Sequence, residues 1–164
     1  MAKPTDEMIT LPNFPMPMVQ SIDDDMVESE VVLDQFVENM EKGLIIYFYP
    51  RDNTPGCTTQ ATDFTAKLSE FDALGYEVIG VSRDSIESHK KFIEKHHLQI
   101  ALISDTDENL CQHFDVIKEK NMYGKKTLGL VRSAFVFDKN GTLTHAQRNL
   151  RAKDYADRLL DTLS

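Results

Sequence analysis

The residues of this chain best suited to chemistry are a cysteine, Cys57, and the polar turn before it, Pro50-Arg51-Asp52-Asn53-Thr54-Pro55-Gly56. An apolar run, Leu44 to Tyr49, leads into the turn, and the cysteine is placed where a helix should begin. A free cysteine is most often a small, inert core residue. The proline, glycine, asparagine and aspartate around Cys57 belong to a loop and not to a core strand, which favours the reactive reading. At a helix start a thiol meets unpaired N–H groups and partial positive charge, and these favour the thiolate, the nucleophilic form. An ordinary thiol, with a pKa of about 8.5, is only a few per cent thiolate at neutral pH. A helix end contributes about 0.3–1 kcal/mol, up to ~2 kcal/mol when partly buried, against ~1.4 kcal/mol for each pKa unit. A cation and a side-chain donor are therefore expected beside the sulfur. Thr54 can turn its hydroxyl toward it; Arg51 lies on the wrong side of the Pro-Gly turn, so the cation must come from elsewhere. Gln60 occupies the third position after Cys57, so this is not a C-x-x-C dithiol site.

The elements that must hold this turn can be read from periodicity. Leu33 to Glu41 predicts a short helix closed by Gly43, and Leu44 to Tyr49 a strand buried on both faces. Cys57 to Leu74 predicts a helix with Phe64, Leu68 and Phe71 on one stripe and Gly75 at its end. Tyr76 to Ser82 is a second buried strand. Asp84, with Glu87 in the capping-box position, is expected to cap a helix running to about His97. Ile100 to Ile103 reads as a short strand and Asp107 to Phe114 as a helix. Arg132 to Phe137 and Thr142 to His145 form a hairpin around Asp138-Lys139-Asn140-Gly141. Ala152 to Leu163 closes the chain as a helix with Tyr155, Leu159, Leu160 and Leu163 inward. This order implies an α/β fold: a largely parallel sheet with helices on both faces and an antiparallel hairpin at one side. Cys57 then falls at the carboxyl end of a central strand, where open α/β sheets build their sites.

Composition narrows the function classes. The chain has 164 residues, 41% hydrophobic and 27% charged, in keeping with one soluble domain and a sizeable core. No apolar stretch is long enough to span a membrane. Residues 1 to about 20 are Pro-rich, expected to be extended, and lack the apolar segment of a secretory signal. Two cysteines in such a chain fit a reducing, cytoplasmic compartment. A net charge of −9 argues against nucleic-acid binding. The acidic run Asp23-Asp24-Asp25 with Glu28 and Glu30 reads as a solvated surface segment.

The pattern Pro50-x-x-x-Thr54-x-x-Cys57 resembles the active-site motif of peroxiredoxins. The fuller stretch, Tyr47-Phe48-Tyr49-Pro50 through Thr54-Pro55-Gly56-Cys57-Thr58-Thr59, is similar to the bacterioferritin comigratory protein, or PrxQ, subfamily. Three later segments match in order: Ile79-Gly80-Val81-Ser82 with Asp84-Ser85, Ser104-Asp105 through Phe114-Asp115-Val116, and Tyr123-Gly124-Lys125-Lys126 through Arg132-Ser133. The resemblance covers about residues 40 to 164 and leaves a Pro-rich N-terminal segment unusual for the subfamily. It implies one thioredoxin-like domain, with a central mixed sheet flanked by helices, and a thiol peroxidase that needs no metal or organic cofactor. Cys57 would be the peroxidatic nucleophile, oxidised to a sulfenic acid by hydrogen peroxide or an organic hydroperoxide. Thr54 would hydrogen-bond the sulfur and a peroxide oxygen. Arg132 would supply the missing cation and polarise the peroxide, and Pro50 would shield the site from water. Thioredoxin, glutaredoxin or glutathione would be the reductant, and the protein a monomer or weak homodimer, with no nucleic acid or membrane as partner.

The chain departs from that pattern in two places. The family often has a glutamate where Gln60 stands, and many members carry a resolving cysteine where Thr62 stands or on the helix near His89 to Lys95; this chain has neither cysteine. Cys111 is the remaining candidate for resolution, but its place beside Leu110 and Phe114 favours a packed core thiol, so a one-Cys mechanism with an external thiol is expected. The five histidines, among them His89 and His96 on one predicted helix, read as surface residues, not as metal ligands. The competing readings are a two-Cys peroxidase resolved by Cys111, a redox sensor or scaffold switched by Cys57, and a thiol–disulfide oxidoreductase. The absence of C-x-x-C weighs against the last.

Overall fold

The structure, a computed structural model, describes residues 9–40, 42–122 and 124–164. In chain order its elements are β1 (Met16–Ile22), β2 (Asp25–Val31), α1 (Leu33–Met40), β3 (Gly43–Phe48), α2 (Pro55–Ala66), α3 (Leu68–Ala73), β4 (Tyr76–Ser82), α4 (Ile86–His96), β5 (Ala101–Ser104), α5 (Asn109–His113), β6 (Ile117–Met122), β7 (Lys125–Leu130), β8 (Ser133–Phe137), β9 (Leu143–Arg148) and α6 (Tyr155–Leu163). A seven-stranded sheet runs β2-β1-β5-β4-β3-β8-β9, and β6 with β7 forms a separate two-stranded hairpin.

β3 is the centre of this arrangement. Every one of its residues is buried. Because side chains alternate along a strand, Leu44, Ile46 and Phe48 join one apolar layer, with Ile79, Val81, Phe114, Phe135 and Cys111. Ile45, Tyr47 and Tyr49 join the other, with Phe64, Phe71, Phe92, Leu102 and Cys57. Each such buried side chain contributes about 1.5–3 kcal/mol, so β3 is fixed from both faces. It pairs in parallel with β4 and antiparallel with β8, whose Ser133 stands opposite Phe48.

The sheet is mixed and flanked by helices, as expected, but its antiparallel pairs lie on both sides of the parallel β3–β4–β5 core. The N-terminal pair was not expected. Residues read as extended and as a solvated acidic segment form β1 and β2, joined through Asp23 and Asp24, whose φ values are 52° and 67°. Prolines and acidic residues are poor strand formers. β2 needs no apolar alternation, because it is an edge strand with mostly exposed side chains, held by its ladder to β1. The hairpin β6–β7 likewise has no counterpart in the sequence reading.

Two helix boundaries also differ. The long helix from Cys57 breaks at Lys67 (φ −106°, ψ 6°) into α2 and α3, which lets Phe71 pack beside Phe64 with ring centres 5.6 Å apart. The cap of α4 is Ser85, whose hydroxyl accepts from the Ser88 N–H at 3.1 Å; the Asp84 carboxylate is engaged elsewhere. Glu41, Tyr123 and the first eight residues lie outside the described part of the chain.

Gly80, on β4, makes room for an aromatic ring. A Cβ there would stand 2.9 Å from the Tyr47 ring and from Leu102 Cδ2, inside a core with no slack. Gly80→Ala is expected to cost about 1–3 kcal/mol of stability, read as a lower denaturant midpoint with an unchanged slope.

Candidate active site

The turn after β3 carries the chain over the carboxyl end of the sheet and into α2. Thr54 is the N-cap, Pro55 fills the first helical position with its fixed φ, and Cys57 is in the first turn. The first intrahelical bond is Thr58 N–H to the Thr54 carbonyl, 2.8 Å. The Gly56 and Cys57 N–H groups precede it and have no partner among the described residues, so the helix start presents two donors and its partial positive charge. The Cys57 side chain is only 1% exposed.

Arg132 arrives from the sheet. It immediately precedes β8, and the β3–β8 register sets it alongside the exit of β3. Its carbonyl accepts from Leu150 N–H at 3.0 Å, which fixes the backbone. The guanidinium forks: Nη2 donates to Cys57 Sγ at 3.3 Å, and Nη1 donates to Gln60 Oε1 at 2.6 Å. Cys57 and Gln60 share one face of α2 and are bridged by one planar cation. Gly56 allows the close approach, since a Cβ at that position would stand 3.2 Å from Nη2. Gln60 is wholly buried and neutral, so it orients the guanidinium without cancelling its charge; its Nε2 has no hydrogen-bond partner among the described residues. Tyr47, also buried, has no partner for its hydroxyl among the described residues. Burial, and next the Cys57 charge, push that phenol well above its ordinary value of 10 and keep it neutral.

Thr54 does not bond to the sulfur here. Its hydroxyl donates to the Arg51 carbonyl at 2.8 Å, and a hydroxyl has one proton to give. Arg51 is exposed and Pro50 half-buried at the turn.

Cys111 is wholly buried in the opposite apolar layer from Cys57, with the sheet between them. Its N–H donates to Asp105 Oδ2 at 2.7 Å. Burial first, and the Asp105 carboxylate second, push its thiol far above the ordinary range. Both cysteines are free.

The sequence reading missed a polar cluster behind the turn. His89 is not at the surface: it is wholly buried against Asp52, Tyr49 and Ser88. The signal was present, because His89 lies at helical spacing from Phe92 and Ile93, the buried stripe of α4. Among the described residues no group of three or more histidines, cysteines and carboxylates could hold a metal, and no helix is long and apolar enough to cross a membrane.

Residues 10–146 match the AhpC/TSA family. The chain is 52% identical over 120 residues to peroxiredoxin Bcp of Xanthomonas campestris, covering 73% of this chain and 75% of that protein. It is 45% identical over 122 residues to peroxiredoxin Bcp of Bacillus subtilis, covering 74% and 78%. A solved structure of Xanthomonas campestris peroxiredoxin Q superposes with a TM-score of 0.84 at 42% identity, covering 96% of each chain. Trapped intermediate/ligand complex structures of the bacterioferritin comigratory protein of Xanthomonas campestris, described in connection with its alkyl peroxide reduction activity, superpose with a TM-score of 0.84 at 41% identity, covering 96% of each chain.

The two thiols should be distinguishable by reagent. Mass spectrometry after brief iodoacetamide treatment of the folded protein should find Cys111 unmodified, and its labelling should appear only in step with global unfolding. Native-state labelling of Cys111 as fast as that of Cys57 would contradict its placement in the core.

Proposed function

The chain belongs to the AhpC/TSA family, among its Bcp/PrxQ peroxiredoxins, and from this we propose that it is a thiol peroxidase that reduces hydrogen peroxide and organic hydroperoxides through Cys57. One observation carries the assignment of the residue: the Arg132 guanidinium reaches both Cys57 Sγ and Gln60 at the open start of α2. The Cys57 thiolate attacks the terminal peroxide oxygen, the O–O bond breaks, and the sulfur takes that oxygen as a sulfenic acid. The departing alkoxide or hydroxide is protonated by solvent. Negative charge moves from sulfur to the leaving oxygen during the step. Arg132 and the Gly56 and Cys57 N–H groups, unpartnered among the described residues, are donors for that charge, and such preorganised donors are typically worth about 10²–10³ in rate each. Thr54, while donating to the Arg51 carbonyl, keeps a lone pair that can accept the peroxide O–H. Pro50, half-buried at the turn, limits water at the sulfur.

Recycling is by an external thiol. A disulfide needs Cα atoms within about 7 Å, and Cys57 and Cys111 face opposite layers of one sheet. An incoming thiol condenses with the sulfenic acid, releasing water and leaving a mixed disulfide, and a second thiol displaces Cys57. Thioredoxin, glutaredoxin and glutathione are the candidate donors, in a reducing cytoplasm, with the protein a monomer or weak homodimer. The two apolar layers share one sheet, which supports reading the chain as a single domain.

Cys57→Ser should abolish peroxide turnover and leave the fold intact by circular dichroism. Arg132→Lys keeps the charge but loses the planar fork; its peroxidase rate should fall about 10²-fold even where the thiolate is fully formed. A wild-type rate in that variant would remove Arg132 from the reaction.

For recycling, stoichiometric peroxide should leave Cys57 as a sulfenic acid or as a mixed disulfide with added thiol, and Cys111→Ser should retain turnover. A Cys57–Cys111 disulfide as the main oxidised species, with turnover lost in Cys111→Ser, would replace the one-Cys reading by a two-Cys one.

A further inference from the structure

The Asp52–His89 pair is buried and takes no part in the peroxide chemistry. His89 is wholly inaccessible, and each of its ring nitrogens faces an acceptor: Nδ1 lies 2.8 Å from Asp52 Oδ2, and Nε2 lies 2.9 Å from the Ile103 carbonyl. A carbonyl only accepts, so Nε2 carries a proton. An ionised carboxylate also only accepts, so with Asp52 ionised Nδ1 carries one as well; a neutral ring would then set two lone pairs against each other at 2.8 Å. Moving that proton to Asp52 is disfavoured by the rest of the cluster. The Tyr49 hydroxyl donates to Asp52 Oδ1 at 2.6 Å, and the Ser88 hydroxyl donates to Oδ2 at 2.8 Å. Burial, and next the Asp52 charge, hold the Tyr49 phenol well above its ordinary value, so it remains a donor. Three donors converge on one carboxylate that is 2% exposed.

These bonds tie α4 to the turn that delivers Cys57. The Asp52 N–H donates to Asp84 Oδ2 at 2.8 Å, and the same oxygen accepts from the Ser82 hydroxyl at 2.6 Å. The next residue, Asn53, has a φ of 61°, and its Oδ1 lies 3.2 Å from His96 Nε2 on α4. Beyond Asp52, the charged or titratable groups around His89 among the described residues are the Tyr49 phenol from just after β3, Asp84 behind Asp52, and the Lys90–Glu28 ion pair between α4 and β2; β5 offers the Ile103 carbonyl. A buried ion pair seldom adds net stability over a well-packed apolar pair, so its place beneath this turn calls for another reason.

We propose that Asp52 and His89 are positioning residues: a buried carboxylate–imidazolium pair that clamps the turn before Cys57 onto α4 and so fixes the start of α2 against Arg132. The inference rests on Cys57 being the peroxide-reacting thiol. Its loss misplaces the sulfur relative to the incoming oxygen without withdrawing the Arg132 charge.

The first test is nitrogen-15 NMR of the histidine rings in the resting wild-type protein at neutral pH. Both His89 nitrogens should show the shifts of protonated N–H groups, and Asp52→Asn should convert the ring to the singly protonated form. An unprotonated Nδ1 in the wild type overturns the proposal. The second test compares wild type, Asp52→Asn and His89→Gln in single-turnover oxidation of Cys57 by hydrogen peroxide and in its alkylation by iodoacetamide. The peroxide rate constant should fall about tenfold or more while alkylation holds or rises, because misalignment penalises oxygen transfer most. Unchanged peroxide rates, or equal falls in both reactions, count against positioning. Should His89→Gln not fold, Ser88→Ala removes a single donor from Asp52 and should shift the two rates apart in the same direction, by less than Asp52→Asn does; no split overturns the clamp. A wild-type Cys57 inert to peroxide would instead fail the peroxidase reading itself.

Discussion

The site depends first on the burial of β3 between two apolar layers. A strand clamped on both faces has a fixed carboxyl end, and the cluster of Cys57, Gln60 and Arg132 is built beside that end. The turn that leaves it begins α2, Arg132 stands just before the β8 strand beside it, and β4 on its other side leads to Asp84 and α4. Three segments distant in the chain therefore converge because each is hydrogen-bonded, directly or through one loop, to the same buried strand. Gly80 and Tyr47 show how closely this core is filled: the ring needs the space that a side chain at 80 would take.

On that frame the electrostatics are simple. One guanidinium divides its donors between the sulfur and a buried amide. The amide holds the fork in plane but brings no charge. A carboxylate in the same place would share the guanidinium's charge with the sulfur. Gln60 Nε2 and the Tyr47 hydroxyl lie buried in the same region with no hydrogen-bond partner among the described residues.

The sheet that builds the site also separates the two cysteines. Cys111 packs in the layer opposite Cys57, and its burial beside Asp105 opposes ionisation. A thiol that neither ionises nor reaches its partner is a poor resolving group, which is why the recycling proposed here draws on an external thiol. On the Cys57 side, the ionisable groups not used on the sulfur gather behind the turn, where Asp52 and His89 join it to α4.

Much of this was legible in the sequence, and the reason is local. The Pro50–Cys57 turn, the apolar run before it, the amphipathic stripes and the hairpin at 138–141 are short-range patterns, so their residue types announce the elements directly. Cys111 beside Leu110 and Phe114 announced a core thiol in the same way. What failed were readings in which a residue's fate depends on a distant partner. The acidic Asp25–Val31 segment is a strand only because β1 supplies its ladder. Thr54 turns to the Arg51 carbonyl and not to the sulfur. Asp84 gives up the helix cap to hold the turn, and His89 is buried because a carboxylate 37 residues away in sequence meets it. Sequence alone determined which residues could react and which elements carry them; only the tertiary structure decided which donor faces which acceptor, because hydrogen bonds to buried groups are settled by what the packed sheet brings within about 3 Å.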